Sequence, residues 1–141
     1  VTYNEPGKTA ELFVECGGHE VCRYRADGIL LATPDGSTGY SMSAGGPIID
    51  TTLNTIVMTP VCPHSLISRS IVFSSDKIIH VGSSFNGGKE KMDVIIDGEI
   101  AFCIKKDEVV TAGISEKCVK FINISGRGFY EVLNQKIIGR R

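Results

Sequence analysis

The sequence lacks an excess of charge of either sign, because 15 lysines and arginines nearly balance 16 aspartates and glutamates. A formal net charge of −1 gives no basic field that would attract nucleic acid or anionic lipid. The sequence also lacks a signal-peptide pattern and an apolar run of membrane-spanning length. We therefore expect a soluble protein that contacts neither nucleic acid nor a membrane.

Cysteine and histidine are few and scattered. The five cysteines are odd in number and include no C-x-x-C pair, so they indicate neither a disulfide framework nor a zinc site. The three histidines show no ligand spacing for a metal. We expect reduced thiols in a cytoplasmic protein that holds no metal by itself. These residues are Cys16, Cys22, Cys62, Cys103 and Cys118, with His19, His64 and His80.

Three common catalytic or nucleotide-binding motifs are missing. In the stretch of residues 25–47 no Lys follows a glycine as in a Walker A loop, and no G-x-G-x-x-G occurs in the sequence. Around Ser43 a serine, Ser41, stands where a nucleophile elbow would have its first glycine. The sequence therefore indicates none of the P-loop, dinucleotide-fingerprint or serine-hydrolase sites.

What the sequence does have is a series of short apolar runs separated by turn residues. Its 141 residues suit a single domain, residues 1–141, with its own core. The pattern predicts a mainly β fold, a β-sandwich of about ten short strands. It adds one short helix at residues 40–44 and a C-terminal helix at 129–138. The predicted strands are residues 11–16, 20–24, 29–33, 56–59, 71–73, 78–81, 93–97, 100–104, 108–111 and 118–124.

Two local patterns sharpen this prediction. Pro60 and Pro63 follow a strand candidate, so we expect an extended loop there. In residues 93–97, Val94 and Ile96 alternate with more polar positions, which predicts one apolar face packed on the core.

Residues 33–47, the central turn, are the most informative stretch. Pro34 and Gly36 interrupt a buried strand, and Ser37 and Thr38 offer N-cap hydroxyls to the short helix that follows. Backbone N–H groups, the helix dipole and close-approach glycines make such a turn suitable for a polar ligand. The alternative is a turn and helix cap with a purely structural role, and the spacing alone leaves both open.

Several motifs occur together in a fixed order, from Asp27-Gly28 through the central turn to a proline loop and a late Asp-Gly. This ordered set resembles the signature of the NAD kinase family and covers nearly the whole chain. The motifs are Asp27-Gly28, Thr33-Pro34-x-Gly36-Ser37-Thr38-x-Tyr40-Ser41, Ser43-Ala44-Gly45-Gly46-Pro47, Cys62-Pro63-His64-Ser65-Leu66 and Asp97-Gly98.

The resemblance extends to the C-terminal domain of that family only. The family's N-terminal α/β domain carries a Gly-Gly-Asp-Gly motif with the catalytic Asp, and this sequence has no such motif. We therefore assign no catalytic residue here and expect this chain alone to be inactive. The complete enzyme would transfer a phosphoryl group from ATP, or polyphosphate, to the 2′-hydroxyl of the adenosine ribose of NAD.

The resemblance also implies partners and site residues. Mg²⁺ or another divalent cation would accompany ATP, and the protein would form a homodimer or homotetramer whose neighbouring subunit can complete the NAD pocket. Asn4-Glu5 invites comparison with a substrate-binding pair of the family, but Pro6 follows directly and a turn role is favoured. The implied NAD-binding residues are Arg25, Asp27, Asp35, Thr38, Gly39, Tyr40, Ser43, Cys62, His64 and Asp97.

Several of these residues have simpler interpretations. Asp27-Gly28 and Asp97-Gly98 are ordinary turn pairs, Tyr40 can be a core aromatic, and His64 can bond loop carbonyls. Asp35 stands where the family usually has Thr or Ser; it is a solvated turn residue, a partner of the adenine amino group or an engineered change.

Two other functional classes fit the same pattern. One is the C-terminal domain of a lipid or sphingoid kinase, which would need an apolar cavity for an acyl chain. The other is a non-catalytic module that binds dinucleotides or mediates assembly.

Overall fold

The strands form two sheets that face each other. The computed structural model describes residues 1–3, 10–65, 67–84, 91–105 and 107–139. In these residues one sheet has six strands in the order β6-β5-β4-β1-β8-β9, and the other has four in the order β10-β7-β2-β3. The strands are β1 (Thr2–Tyr3), β2 (Ala10–Cys16), β3 (His19–Ala26), β4 (Gly28–Ala32), β5 (Thr55–Val61), β6 (Ile71–Ser74), β7 (Ile79–Ser84), β8 (Lys91–Ile96), β9 (Glu99–Lys105) and β10 (Val109–Ala112).

Both sheets contribute to a single hydrophobic core. On β2, Leu12 and Val14 are buried and the residues between them are only partly covered, as expected for a strand with one face inward. They join Ile79 of the same sheet, and Met58 and Met92 of the facing sheet, in one cluster. The predicted β-sandwich is therefore confirmed, because apolar faces of two sheets meet in one core.

The β2–β3 connection is a tight hairpin at Gly17 and Gly18. Both glycines have positive φ angles, 61° and 78°. A two-residue hairpin with two left-handed positions is the turn whose twist matches the flanking strands, and glycine adopts it without steric cost. The Gly-Gly pair therefore sets the geometry of this hairpin.

Pro60 lies inside a strand, so the predicted loop at this position is wrong. It pairs with Ile29 of β4, whereas β6 pairs with β5 only from Thr55 to Met58. Beyond Met58, one side of β5 is thus an edge among the described residues. A proline that cannot donate a ladder hydrogen bond is compatible with such an edge.

The predicted apolar face of β8 is only half correct. Val94 is buried in the core, but Ile96 is exposed. The register between β8 and β9 shifts between Val94 and Ile95, which interrupts the alternation of side chains. Asp93, predicted on the polar face, is buried and accepts a bond from the Cys103 thiol at 2.9 Å.

Residues 118–124 do not form the predicted strand. They have no regular secondary structure, and their large apolar side chains are exposed. Among the described residues no strand pairs with this segment, and an unpaired extended segment has no ladder of hydrogen bonds to hold it. The prediction was wrong because periodicity does not reveal whether a pairing partner is present. The exposed residues include Val119, Phe121, Ile122 and Ile124.

The helices are short. A 3-10 helix, Asp35–Thr38, precedes α1 (Tyr40–Ser43), and α2 (Phe129–Leu133) continues into a π-helical turn, Asn134–Ile138. Both predicted helices are present within a residue or two. In the described part of the chain, no helix has the length and apolar character needed to cross a membrane.

Candidate functional site

The central turn is organised differently from the predicted cap. Neither Ser37 nor Thr38 caps α1; Gly39 precedes that helix, and no side chain among the described residues caps its first turn. Instead the Thr33 hydroxyl accepts the Gly36 N–H at 3.2 Å, at the start of the 3-10 helix. The Thr38 hydroxyl donates to the Asp35 carbonyl at 3.1 Å. Because α1 is one turn long, its dipole contributes little, and the turn's shape matters more.

A cavity of about 850 Å³ lies beside this turn, within the size range of small-molecule sites. One wall is the turn itself, another is β4, and the far wall is the end of β8 with its hairpin. Most lining side chains are apolar, with hydroxyls and backbone groups at the turn. The lining residues are Val1, Thr2, Ile29, Leu30, Leu31, Ala32, Thr33, Gly36, Gly39, Tyr40, Ser41, Val61, Ile95, Asp97 and Gly98.

Three of the predicted site residues line this cavity: Gly39, Tyr40 and Asp97. The Tyr40 ring is 64% exposed, so it is a rim residue and not the core aromatic considered as the alternative. Asp97 and Gly98 form the β8–β9 hairpin turn, with φ angles of 48° and 93°. Asp97 is therefore both a turn residue and a carboxylate at the cavity.

Four other predicted residues form a separate group at the β3–β4 corner. The His64 N–H donates to the Arg25 carbonyl at 2.7 Å, and the Asp27 N–H donates to the Val61 carbonyl at 3.0 Å. Cys62 lies between them with a positive φ of 46°. Val61 also lines the cavity, so this group adjoins it. The side chains of all four are exposed, and the contacts that join the group are made by the backbone.

Asp35 and Thr38 face a different, smaller cavity of about 230 Å³, bordered by α2. Asp35 is exposed on the first turn of the 3-10 helix. Ser43 is exposed and borders neither cavity. In the described residues, these three predicted positions are therefore separated from the larger cavity.

Near the smaller cavity, one polar contact among the described residues joins α2 to a distant part of the chain. The Tyr130 hydroxyl donates to Asp50 Oδ2 at 2.5 Å. This bond, together with donors from Thr52, lowers the pKa of the Asp50 carboxyl, and the same bond raises the pKa of Tyr130.

The sequence reasoning missed several cavity residues. Thr33, Gly36 and Ser41 were part of the recognised motif but were assigned no role, although that motif was the signal that could have identified them. The sequence carries no signal that Leu30 and Ile95 line a cavity, because an apolar residue in a strand pattern looks the same as a core residue. Asn4 and Glu5 lie outside the described residues.

The described residues contain no group of three or more His, Cys, Asp or Glu side chains placed to hold a metal ion. Asp97 is the charged side chain at the larger cavity among the described residues. All five cysteines are free thiols. Such an arrangement offers a ligand backbone, hydroxyl and apolar contacts.

Comparison with known proteins identifies the family. Residues 2–124 match the model of the ATP-NAD kinase C-terminal domain. The chain belongs to this family. The match agrees with the motif resemblance, and it covers both sheets and the central turn.

Curated NAD kinases are similar over most of this chain. The NAD kinase of Caldicellulosiruptor saccharolyticus is 45% identical over 114 residues, covering 81% of this chain and 42% of that protein. The NAD kinase of Symbiobacterium thermophilum is 37% identical over 132 residues, covering 94% and 46%. The chain thus spans less than half the length of these relatives.

Two solved NAD(H) kinase structures share the fold. An NAD kinase from Archaeoglobus fulgidus in complex with ATP superposes with a TM-score of 0.69 and 30% identity, covering 82% of this chain and 43% of that one. Yeast NADH kinase complexed with NADH gives a TM-score of 0.73 and 26% identity, covering 99% and 42%.

Proposed function

We propose that this chain is the dinucleotide-binding domain of an NAD kinase. The observation that carries the proposal is the cavity of about 850 Å³ between the central turn and the Asp97-Gly98 hairpin, in a chain of this family. Relatives named NAD kinase and a neighbour complexed with NADH support the choice of ligand over a lipid. The whole protein would then phosphorylate the 2′-hydroxyl of the adenosine ribose of NAD, giving NADP.

In this proposal the chain supplies positioning, which is a large part of catalysis in phosphoryl transfer. The exposed ring of Tyr40 packs against the adenosine, and the backbone at Gly39 approaches it closely. The Asp97 carboxylate, which also lines the cavity, accepts hydrogen bonds from the dinucleotide. Arg25, Asp27, Cys62 and His64 extend the site at the β3–β4 corner.

The phosphoryl donor, ATP or polyphosphate, would bind mainly to other parts of the enzyme. The ATP complex of the archaeal neighbour supports ATP as the donor. Mg²⁺ would neutralise the phosphates of ATP, but the described residues include no cluster that fits it. The described part of this chain therefore gives the metal no site of its own. Cytoplasmic localisation stays a prediction.

Self-association is part of the proposal. The β8–β9 hairpin exposes Ile96, Ile100 and Phe102 at an edge of the six-stranded sheet. An unpaired edge with apolar side chains is a surface that a second copy can cover. Light scattering at micromolar concentration should give a mass well above 15.2 kDa. A clean monomer would contradict this part.

The direct test is NAD binding by the 141-residue chain, measured by calorimetry. Tyr40→Ala should weaken binding by roughly 1–3 kcal/mol, by analogy with base–aromatic stacking. Tyr130→Ala is the matched control, because Tyr130 is 70% exposed against 64% for Tyr40 but lies away from the larger cavity. Equal effects of the two changes would contradict the site.

A second test concerns catalysis. Incubated with NAD, ATP and Mg²⁺, the chain alone should form no NADP, because the family's Gly-Gly-Asp-Gly motif is absent from its sequence. Turnover at ordinary enzyme rates would mean that the catalytic group lies within these 141 residues.

A further inference from the structure

The central turn holds two buried serines beneath its exposed surface. Ser37 and Ser41 are both 0% exposed, whereas Gly39 and Tyr40, between them, face the larger cavity. Buried hydroxyls are costly unless they are hydrogen-bonded, so their partners matter.

Ser41 belongs to a series of three hydrogen-bonded hydroxyls. Its Oγ lies 3.0 Å from Thr59 Oγ1, and Ser70 Oγ donates to the same Thr59 oxygen at 3.3 Å. A hydroxyl has one proton and can accept elsewhere, so Thr59 accepts from Ser70 while its own proton is free to donate to Ser41. These hydrogen bonds link α1 to β5 and to Ser70, the residue before β6.

Thr59 occupies an unusual place for such a link. Ile56 and Met58 of β5 belong to the core, so Thr59 points to the opposite face of the sheet. It is nevertheless only 1% exposed, because the central turn covers it. Directional hydrogen bonds therefore hold the turn on the sheet at this point.

The surrounding backbone closes around this contact. A Cβ on Gly46 would lie 2.5 Å from both Ser41 Oγ and Thr59 Oγ1. The Gly46 N–H donates to the Ser41 carbonyl at 2.8 Å. The second serine, Ser37, donates to the Pro34 carbonyl at 2.6 Å and accepts the Ile49 N–H at 3.0 Å.

We propose that Ser41, Thr59 and Ser70 are positioning residues that set the place of Gly39 and Tyr40 at the cavity. Thr59 and Ser70 do not line the larger cavity, so they act through the placement of α1, whereas Ser41 both lines the cavity and hydrogen-bonds to Thr59. The inference rests on the proposed function in one respect, namely that this edge of the cavity holds NAD. It adds that NAD affinity depends on hydroxyls behind the turn.

The test is Thr59→Val, which keeps the volume but removes both hydrogen bonds. NAD affinity should fall about 3- to 10-fold, the range expected for a net loss near one hydrogen bond. Thr59→Ser retains the hydroxyl and should restore affinity to within about 2-fold of the original. A structural role alone would lower the melting temperature of Thr59→Val and leave its NAD affinity unchanged, which would overturn the proposal.

Thr55 provides a matched control on the same strand. Its hydroxyl is buried and has no hydrogen-bond partner among the described residues. Thr55→Val should therefore leave NAD affinity unchanged. A loss equal to that of Thr59→Val would overturn the proposal, because it would show a general sensitivity of β5. If Thr59→Val does not fold, Ser70→Ala removes the hydroxyl that bonds Thr59 from outside the cavity lining and should lower NAD affinity; unchanged affinity overturns the proposal.

Amide NMR shifts separate this inference from the proposed function. If the original chain does not bind NAD, the proposed function fails, but the placement of the turn can still be observed. Thr59→Val should then shift the amide resonances of Gly39 and Tyr40, and Thr55→Val should not. Unshifted resonances in a folded Thr59→Val chain would overturn the inference by themselves.

Discussion

The region around β5 and the segment of residues 113–139 differ in which side chains they bury. Beneath the central turn, the polar side chains Ser37, Ser41 and Thr59 are buried and hydrogen-bonded. In residues 113–139 no described side chain is buried, and Phe121 and Ile122 are largely exposed. Whether a side chain is buried thus depends more on which other segments cover it than on whether it is polar or apolar.

The physical difference is the presence of partners. β5 has β4 on one side, β6 along part of the other, and the turn over its outer face. Residues 113–128 have no paired strand in the described part of the chain. An apolar side chain stabilises a fold only when it is removed from water. Residues of the same type therefore contribute differently to stability in the two regions.

The largest contrast should come from a matched pair of isoleucines. Ile79 is 0% exposed in the core and Ile122 is 87% exposed. Ile79→Ala should lower the free energy of unfolding by about 2–5 kcal/mol. Ile122→Ala should change it by no more than about 0.5 kcal/mol. Urea unfolding measures both, and a large loss for Ile122→Ala would show that this segment is covered in solution.

A pair of glycines tests the same comparison by the room available for an added Cβ, and not by the apolar area that is buried. Gly46→Ala should destabilise by about 1–3 kcal/mol, because its new Cβ has no room beside Ser41 and Thr59. Gly128, in the C-terminal segment, has open space around its Cα and a φ of −76°. Gly128→Ala should be nearly neutral, and melting curves that fall equally for both would contradict the packing described.

Asp35→Thr should have a smaller effect, measured on NAD binding. Asp35 is exposed and borders the smaller cavity, so a charge there is separated from the proposed site. Water screens such a charge strongly, and we expect the NAD dissociation constant to change by less than about 2-fold. A clear gain in affinity would place the carboxylate near the phosphates of NAD.

The smallest effect should be a pH-dependent one at the Tyr130–Asp50 contact. The pKa of Asp50 is lowered from its ordinary 3.8, so its bond to Tyr130 stabilises the fold above that pH and is lost as pH falls through the lowered pKa. Tyr130→Phe should therefore lower the melting temperature slightly at about pH 6 and not at all well below the pKa. A difference that persists in strong acid would assign the effect to packing.

Much of the fold could be predicted from the sequence, because its cause is local. Alternating apolar residues in β2, paired glycines at 17 and 18, and the Asp97-Gly98 turn each determine their own backbone geometry. The ordered motifs likewise predicted the family that the comparisons show. The assignment of NAD-binding residues stays a prediction.

The sequence by itself determined which residues favour strands and turns, and to which family the chain belongs. The tertiary structure alone decided that Gly39 and Tyr40 share a cavity with Asp97, and that Asp35 and Thr38 face another. It also decided that Thr59 is buried by a turn and that residues 118–124 pair with no strand in the described part of the chain. Periodicity reports the preference of one segment, whereas burial and pairing depend on a second segment that is distant in the chain.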